Sequence, residues 1–229
     1  DLWQSSPVPR LFRFDFLKYL FIVVPGTIIG DMLLKWMKGA GTGEESSASW
    51  NRPRLLVLAA LMLMFNILLL VGLKGRYLLE TTVLALLLCG CGWFLFRRPG
   101  RDMEKLLRGF YQWGVYLLVL GLFFEPFEGG IKKDPSTLSY YFVTGGLAVF
   151  TLIGLMILID LLKTQRWWRT LIESGQNPLI AYAGINNLIR PLLALTGAGA
   201  LLEALLPGPW PGVLRGIIVT YLVALSASI

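Results

Sequence analysis

Histidine is absent from this sequence of 229 residues. Its absence removes the most common general base and the most common metal ligand of proteins from the chain. Cysteine is scarce, and the two that occur, Cys89 and Cys91, lie two residues apart in an apolar run. On a helix two such side chains point about 160° apart, so they can form neither a disulfide with each other nor a metal site. We interpret both as small core residues, and we expect no metal site.

Charged residues are also few, at 15% of the chain, whereas about 25% is usual for a soluble domain. Hydrophobic residues reach 55%. A soluble protein of this size could not bury so much apolar surface and still cover itself with polar groups. The lipid bilayer is therefore the first expected partner. The net charge of +7 comes from basic residues clustered in short loops between apolar runs. This clustering favours orientation in a membrane over nucleic-acid binding as the role of the basic residues, so we expect no nucleic-acid partner.

The catalytic motifs of soluble enzymes are absent as well. The sequence has no phosphate-cradling glycine loop, no nucleophile elbow, no zinc-ligand spacing and no dinucleotide fingerprint.

The sequence begins at Asp1 instead of a methionine, and it stops at Ile229 inside an apolar run. We expect the chain to be a piece of a longer membrane protein, truncated at both ends, whose missing N-terminal helices pack against it.

Seven apolar segments are long enough to cross a bilayer as helices. They are continuously apolar rather than alternating, and a helix satisfies its own backbone groups in lipid, so helices are favoured over the strands of a barrel. The predicted fold is an all-α polytopic transmembrane helix bundle. Residues 1–229 are predicted to form a single integral-membrane domain that is a fragment of a larger bundle. The predicted spans are residues 12–37, 55–73, 77–96, 106–124, 140–162, 178–195 and 213–229.

Lysine and arginine are distributed unequally between alternate loops. Eleven of them lie on one side of the predicted bundle and six on the other. Cytoplasmic loops carry an excess of basic residues, so the asymmetry predicts the orientation. Loops 38–54, 97–105 and 163–177 are predicted to be cytoplasmic, and loop 125–139 to be periplasmic. The basic stretch Arg97–Arg108 is also a candidate for attracting an anionic cytoplasmic cofactor or lipid headgroups, with orientation alone as the alternative explanation.

Polar residues inside predicted spans are candidates for a binding site, because a charge at the bilayer centre costs about 2.5–3.5 kcal/mol on insertion scales. The first span contains the stretch PGTIIGD, Pro25–Asp31. Proline removes a backbone hydrogen bond, so we expect an interrupted helix whose free carbonyl groups face protein or a water-filled cavity. A simple packing kink is the alternative. Asp31 is the candidate substrate-binding residue of this span, and a structural role near the end of the span is its alternative.

A second polar stretch runs from Ser174 to Leu192. Asn186 and Arg190 are four residues apart and therefore share one face of a helix. Such a polar face must point to the bundle interior or to water, and a buried arginine suits a carboxylate or phosphate partner. The alternative is an arginine that pairs with Asp31 or Asp160 for structure alone. The candidate substrate-binding residues of this stretch are Gln176, Asn177, Asn186, Asn187 and Arg190.

Three stretches carry a resemblance to a known family. They are FDFLKYLFIVVPGTIIGDMLLKW (Phe14–Trp36), KDPSTLSYYFVTGGLA (Lys133–Ala148) and SGQNPLIAYAG (Ser174–Gly184). Together they resemble the C-terminal half of an uncharacterised family of bacterial multi-spanning membrane proteins of the Bacteroides type. That family is grouped with the heparan-α-glucosaminide N-acetyltransferase-like proteins and with a wider clan of membrane acyltransferases. The likeness to the acetyltransferase itself rests mainly on Gln176–Pro178.

The resemblance implies a multi-pass protein of the bacterial inner membrane that moves an acetyl group from cytoplasmic acetyl-CoA to an amino sugar or an envelope glycan. In the characterised acetyltransferases a histidine of the N-terminal half does the chemistry. The catalytic histidine would then lie outside this chain, and the catalytic residues within it are unknown. The polar residues of the two stretches would line the chamber in which donor and acceptor meet. A transporter or flippase-like bundle without covalent chemistry is the alternative, because interrupted helices also form substrate pathways at the membrane midplane.

Overall fold

The computed structural model describes residues 14–39, 50–176, 183–184, 187, 189–205 and 209–227. Within these residues the regular structure is helical and contains no strand. The predicted all-α helix bundle is therefore confirmed. The chain divides into two compact units, Asp1–Leu162 and Lys163–Ile229.

The first unit is built from five long helices. A 3₁₀ segment, Phe14–Tyr19, leads into α1, Leu20–Gly39. The next three helices are α2 (Arg52–Lys74), α3 (Leu78–Leu95) and α4 (Asp102–Glu128). The fifth helix, α5, covers Leu138–Met156 and continues as a π-helical turn, Ile157–Leu161.

The second unit begins with α6, Gln165–Gln176. Two short helices follow, α7 (Arg190–Leu195) and α8 (Ala198–Leu205), and the described chain ends with α9 (Pro209–Ala227). Within this unit α6 packs against α9, and α7 packs against α8.

Five helices of the described chain are long and apolar enough to cross a membrane, so the protein is a multi-pass membrane protein. They coincide with the first five predicted spans, and the helices extend a few residues beyond several of the predicted limits. Of the sixth predicted span, 178–195, eight of the eighteen positions lie outside the described residues, and its described end forms α7. Helix α9 covers most of the seventh, 213–229, and its apolar portion is Gly212–Leu222. The five helices that meet these limits of length and apolarity are Leu17–Gly39, Arg52–Lys74, Leu78–Leu95, Asp102–Glu128 and Leu138–Leu161.

The closest packing in the first unit joins α4 to α5 through glycines. A Cβ atom at Gly121 would lie 2.7 Å from the backbone nitrogen of Val143, and one at Gly146 would lie 3.0 Å from the carbonyl oxygen of Gly114. Such distances leave no room for any side chain at Gly121. In membranes small residues permit this approach of two backbones, and the resulting van der Waals contact drives helix association.

Aromatic rings fill the centre of the same unit. Phe65 on α2 stacks on Phe150 of α5, and Phe96 stacks on Tyr111 of α4, each with ring centroids 4.5 Å apart. All four side chains are fully buried. The Tyr111 hydroxyl donates a 2.7 Å hydrogen bond to the carbonyl oxygen of Cys89, which ties α4 to α3. Buried tyrosines normally find such a partner for the hydroxyl group.

Replacing Tyr111 by phenylalanine tests this tie between α3 and α4. We expect Tyr111→Phe to lower the free energy of unfolding by about 1 kcal/mol, because one buried hydrogen bond is lost while the stacking on Phe96 remains. Tyr116→Phe on the same helix is the matched control, since the Tyr116 side chain is exposed. Unfolding of the detergent-solubilised protein by SDS gives the measurement. Equal stability of the two variants would contradict the assignment.

The helices of the first unit run up and down, so their connections gather at two ends. At one end the Trp50 ring packs on Phe96, with centroids 5.5 Å apart, and the Trp50 indole donates to the carbonyl oxygen of Arg98. At the other end the Arg76 guanidinium lies 3.8 Å from the buried Glu125 carboxylate. We call the first end, formed by residues 50–54 and 95–105, the basic end.

Candidate functional site

Helix α1 carries the predicted interruption at Pro25 and the candidate residue Asp31, and the structure shows no interruption. Helix α1 is continuous through Pro25, so the prediction of a break at Pro25–Asp31 is wrong. One proline costs a single backbone hydrogen bond, and the remaining turns continue on either side of it. Asp31 is exposed and pairs with Lys35 one turn later, at 2.7 Å. This ion pair partly neutralises the carboxylate along its own helix.

Pro25 does contribute to a cavity, and its chemistry differs from the one expected. The cavity has a volume of about 220 Å³ and lies between α1, α4 and α5. Its wall is apolar, so it suits a hydrocarbon group rather than a polar acceptor. The lining residues are Phe21, Ile22, Pro25, Gly26, Ile29, Leu117, Gly145, Ala148, Val149 and Leu152.

The other predicted binding residues belong to the second unit. Asn177 and Asn186 lie outside the described residues, and Gln176 is the last residue of α6. Asn187 and Arg190 are exposed, and Arg190 opens α7. A shared chamber formed by these residues with Asp31 therefore stays a prediction.

A larger and strongly basic cavity lies at the basic end of the first unit. Its volume is about 570 Å³, and its lining consists of three arginines, one phenylalanine and one leucine. We call it the arginine cavity. Its lining residues are Arg54, Phe94, Leu95, Arg97 and Arg98.

Arg54 is held in place by the end of α3. Its guanidinium donates to the carbonyl oxygen of Leu95, 2.8 Å from Nε, and to that of Arg97, 2.6 Å from Nη2. The last carbonyl groups of a helix have no partner within the helix, and a basic side chain supplies one. The indole ring of Trp50 supports the same guanidinium at 5.0 Å. Arg54 is therefore a fixed cation in the cavity wall.

Arg97 and Arg98 complete the cavity from the short connection between α3 and α4. Both side chains are exposed, and the Arg97 guanidinium lies 5.8 Å from the ring centre of Phe94. Arg98 has a backbone φ of 53°, in the left-handed region, where the chain turns back toward α4. This turn places the two successive arginines beside Arg54.

A buried carboxylate organises the connection below the arginine cavity. Glu104 is 1% exposed and accepts hydrogen bonds from the backbone N–H groups of Trp50 and Gly100, at 2.8 and 2.7 Å. It also accepts one from Arg101 at 3.3 Å. A carboxylate near the N-terminus of α4 satisfies free amides and interacts favourably with the helix dipole. Glu104 therefore joins the chain before α2 to the chain before α4.

The arginine cavity is chemically suited to a phosphate or a similar anion. Three guanidinium groups border it, and none of its lining residues is acidic. Guanidinium groups bind phosphate oxygens through paired N–H donors. Phe94 and Leu95 add an apolar wall, and the exposed rings of Trp93 and Phe94 are typical of a membrane interface. Among the described residues no cluster of histidine, cysteine, aspartate and glutamate could hold a metal ion.

Only part of this site is predicted from the sequence. The stretch Arg97–Arg108 is a predicted anion site, whereas Arg54 contributes only to the count of basic residues that predicts orientation. A signal was present, because Arg54 and Phe96 are equally far along the chain from Gly75, in the tight turn of an antiparallel helix pair. Two helices joined in this way bring their distant ends together.

Comparisons with protein-family models, with curated proteins and with solved structures find no match to this chain. The resemblance to the bacterial acetyltransferase-like family therefore stays a prediction from three stretches of sequence. The geometry of the arginine cavity stands independently of it.

Proposed function

We propose that the chain is part of an acyltransferase-like integral membrane protein that takes a phosphate-bearing acyl donor, acetyl-CoA, at its basic end. The observation that carries the proposal is the arginine cavity, where Arg54, Arg97 and Arg98 surround about 570 Å³. The phosphate groups of coenzyme A fit this set of cations, and the apolar wall of Phe94 and Leu95 fits an uncharged part of the same molecule. The acetyl-group chemistry itself comes from the family resemblance.

The distribution of charge supports a cytoplasmic position for the arginine cavity. Contacts of Trp50 with Arg98 and of Arg54 with Arg97 place these basic segments at one end of the bundle. Cytoplasmic loops of membrane proteins carry an excess of basic residues, so we assign this end to the cytoplasm, where acetyl-CoA is found. We therefore propose a bacterial inner-membrane protein with loops 38–54, 97–105 and 163–177 cytoplasmic and loop 125–139 periplasmic.

The acceptor in this proposal is an amino sugar or an envelope glycan. The thioester bond of acetyl-CoA breaks, an acetyl–nitrogen or acetyl–oxygen bond forms on the sugar, and free coenzyme A leaves. The base that removes the acceptor proton belongs to helices outside this chain. In the second unit, we propose that Asn187 and Arg190, together with Gln176, Asn177 and Asn186, contact the sugar.

Transfer of radiolabelled acetyl groups from acetyl-CoA to amino sugars is the direct test. Membranes that contain the full-length protein should form acetylated sugar, and membranes without it should not. Absence of product with every amino sugar and glycan tried, from protein shown to be folded, would overturn the proposal. Movement of a solute or lipid across the membrane without any covalent product would instead support a transporter or flippase.

Loss of two arginines should weaken donor binding. We expect Arg97→Gln combined with Arg98→Gln to raise the Kd for coenzyme A about a hundredfold or more, because charge-assisted hydrogen bonds to the phosphates contribute about 1.5–3 kcal/mol each. Equilibrium binding of labelled coenzyme A to the reconstituted protein measures the effect. Pantetheine, which lacks the phosphates, should bind equally to both proteins.

The matched control is Arg52→Gln combined with Lys105→Gln. Both residues are exposed basic side chains of the same end, and neither lines the arginine cavity. This variant removes the same net charge and should leave the Kd unchanged. An equal loss of affinity in both double variants would show that the general charge of the basic end, rather than the arginine cavity, attracts the anion.

A further inference from the structure

Helix α6 is too short and too polar to cross a membrane, yet it follows directly after a membrane span. Its 12 residues rise about 18 Å, whereas the hydrocarbon core is about 30 Å thick. Only Leu162, Lys163 and Thr164 separate it from the end of the span Leu138–Leu161. At most about 15 Å of chain therefore joins the span to the start of α6, since consecutive Cα atoms are about 3.8 Å apart. Covalent connection alone keeps the start of α6 close to the membrane surface.

The sequence of α6 separates cleanly into two faces. A helix turns about 100° per residue, so its polar positions occupy one half of the circumference and its apolar positions the other. The polar half contains Gln165, Arg166, Arg169, Thr170, Glu173, Ser174 and Gln176, and the apolar half contains Trp167, Trp168, Leu171, Ile172 and Gly175. Among the described α-helices of eight or more residues, α6 shows the strongest separation of this kind. Tryptophan on the apolar face and arginine on the polar face are typical of helices that lie in the membrane interface.

The described side chains of α6 agree with this division. Arg166 and Arg169 are exposed, and Arg169 pairs with Glu173 at 2.6 Å along the polar face. Trp168 and Ile172 are only partly buried although α6 packs against α9. Part of the apolar face therefore remains uncovered by the described protein.

The basic residues around α6 indicate the charge of the surface that it meets. Residues 163–176 contain three basic residues, Lys163, Arg166 and Arg169, and one acidic residue, Glu173. Basic residues near a membrane surface are attracted to anionic lipid headgroups. We infer that α6 lies flat in the membrane interface, with its apolar face among the acyl chains and Lys163 and Arg166 against anionic phosphate headgroups. This inference is independent of the arginine cavity and of the acyl-transfer proposal.

Two site-specific fluorescent probes on the full chain test the position of α6. Cys89→Ala and Cys91→Ala provide the background, and Leu171→Cys or Thr170→Cys carries an environment-sensitive label. The protein is reconstituted in phosphatidylcholine vesicles containing about one third phosphatidylglycerol, with lipids brominated in the acyl chains as quenchers. The probe at Leu171 should be quenched several-fold more strongly than the probe at Thr170. Equal quenching at both positions would overturn the inference, and so would a Leu171 probe that is shielded from water but not quenched by lipid.

The charge dependence is tested with the Leu171 probe. Replacing phosphatidylglycerol by phosphatidylcholine should reduce its quenching, and Lys163→Gln combined with Arg166→Gln should reduce it to the same extent in anionic vesicles. The matched control, Arg52→Gln combined with Lys105→Gln, should leave the quenching unchanged because both residues lie in other segments of the chain. Quenching that is the same in both lipid mixtures would overturn the assignment of anionic headgroups as the partner.

Discussion

Replacing Gly121 by leucine is expected to prevent the folded bundle from forming in detectable amount. A Cβ atom at this position would lie 2.7 Å from the backbone nitrogen and 3.2 Å from a backbone carbon of the facing α5 segment, Phe142–Val143. Backbone atoms cannot move aside as a side chain can, so α4 and α5 would have to separate. Overpacking in a well-packed core costs about 1–3 kcal/mol or more, and here the packing of α4 on α5 along Gly114 and Gly146 would be lost as well.

Gly90→Leu is the matched control for this prediction. Gly90 lies within α3, is exposed, and a Cβ atom there would meet nothing within 4 Å. Leucine also favours a helix over glycine by up to about 1 kcal/mol, so this variant should fold at least as well as the parent chain. Gel filtration of a fluorescent fusion and SDS unfolding give the measurement. A Gly121→Leu protein that elutes and unfolds like Gly90→Leu would show that α4 and α5 do not approach as described.

Glu104→Gln is expected to lower the free energy of unfolding by about 2–4 kcal/mol. The substitution keeps the size of the side chain but replaces one carboxylate oxygen by an amide NH₂ group. That group must then face either the N–H of Trp50 or those of Gly100 and Arg101, so two donors oppose each other in a buried position. The negative charge at the start of α4 is lost at the same time.

Asp102→Asn controls for the loss of a negative charge in the same helical turn. Asp102 is exposed and pairs with Lys105 at 2.8 Å, an arrangement that contributes at most about 1 kcal/mol in contact with water. SDS unfolding of both variants should therefore show a large loss for Glu104→Gln and little change for Asp102→Asn. Because Glu104 also positions the connection beside Arg98, Glu104→Gln should weaken coenzyme A binding. Unchanged stability of Glu104→Gln would refute the assignment of Glu104 as the buried link between these two segments.

The candidate site was only partly predictable from the sequence. Each arginine is visible as a basic residue outside an apolar run, and the count of such residues predicts which end carries the positive charge. The pairing of Arg54 with the carbonyl groups of Leu95 and Arg97 depends on the distance and rotation between α2 and α3. Neither quantity is written in the spacing of apolar residues. The expectation of an interruption at Pro25 was wrong because a helix tolerates one missing hydrogen bond when its neighbouring turns are intact.

The amino-acid sequence determined the membrane environment, the helical class and the approximate limits of the first five spans. These properties are local, because continuous apolarity over about 20 residues already requires a helix that crosses the bilayer. Only the tertiary structure decided that Gly121 faces a backbone, that Glu104 is buried, and that Arg54 joins Arg97 and Arg98 around one cavity. The physical reason is that a helix in lipid is apolar on all sides. Its sequence therefore contains no contrast between a lipid-facing and a protein-facing side, and close packing selects its neighbours.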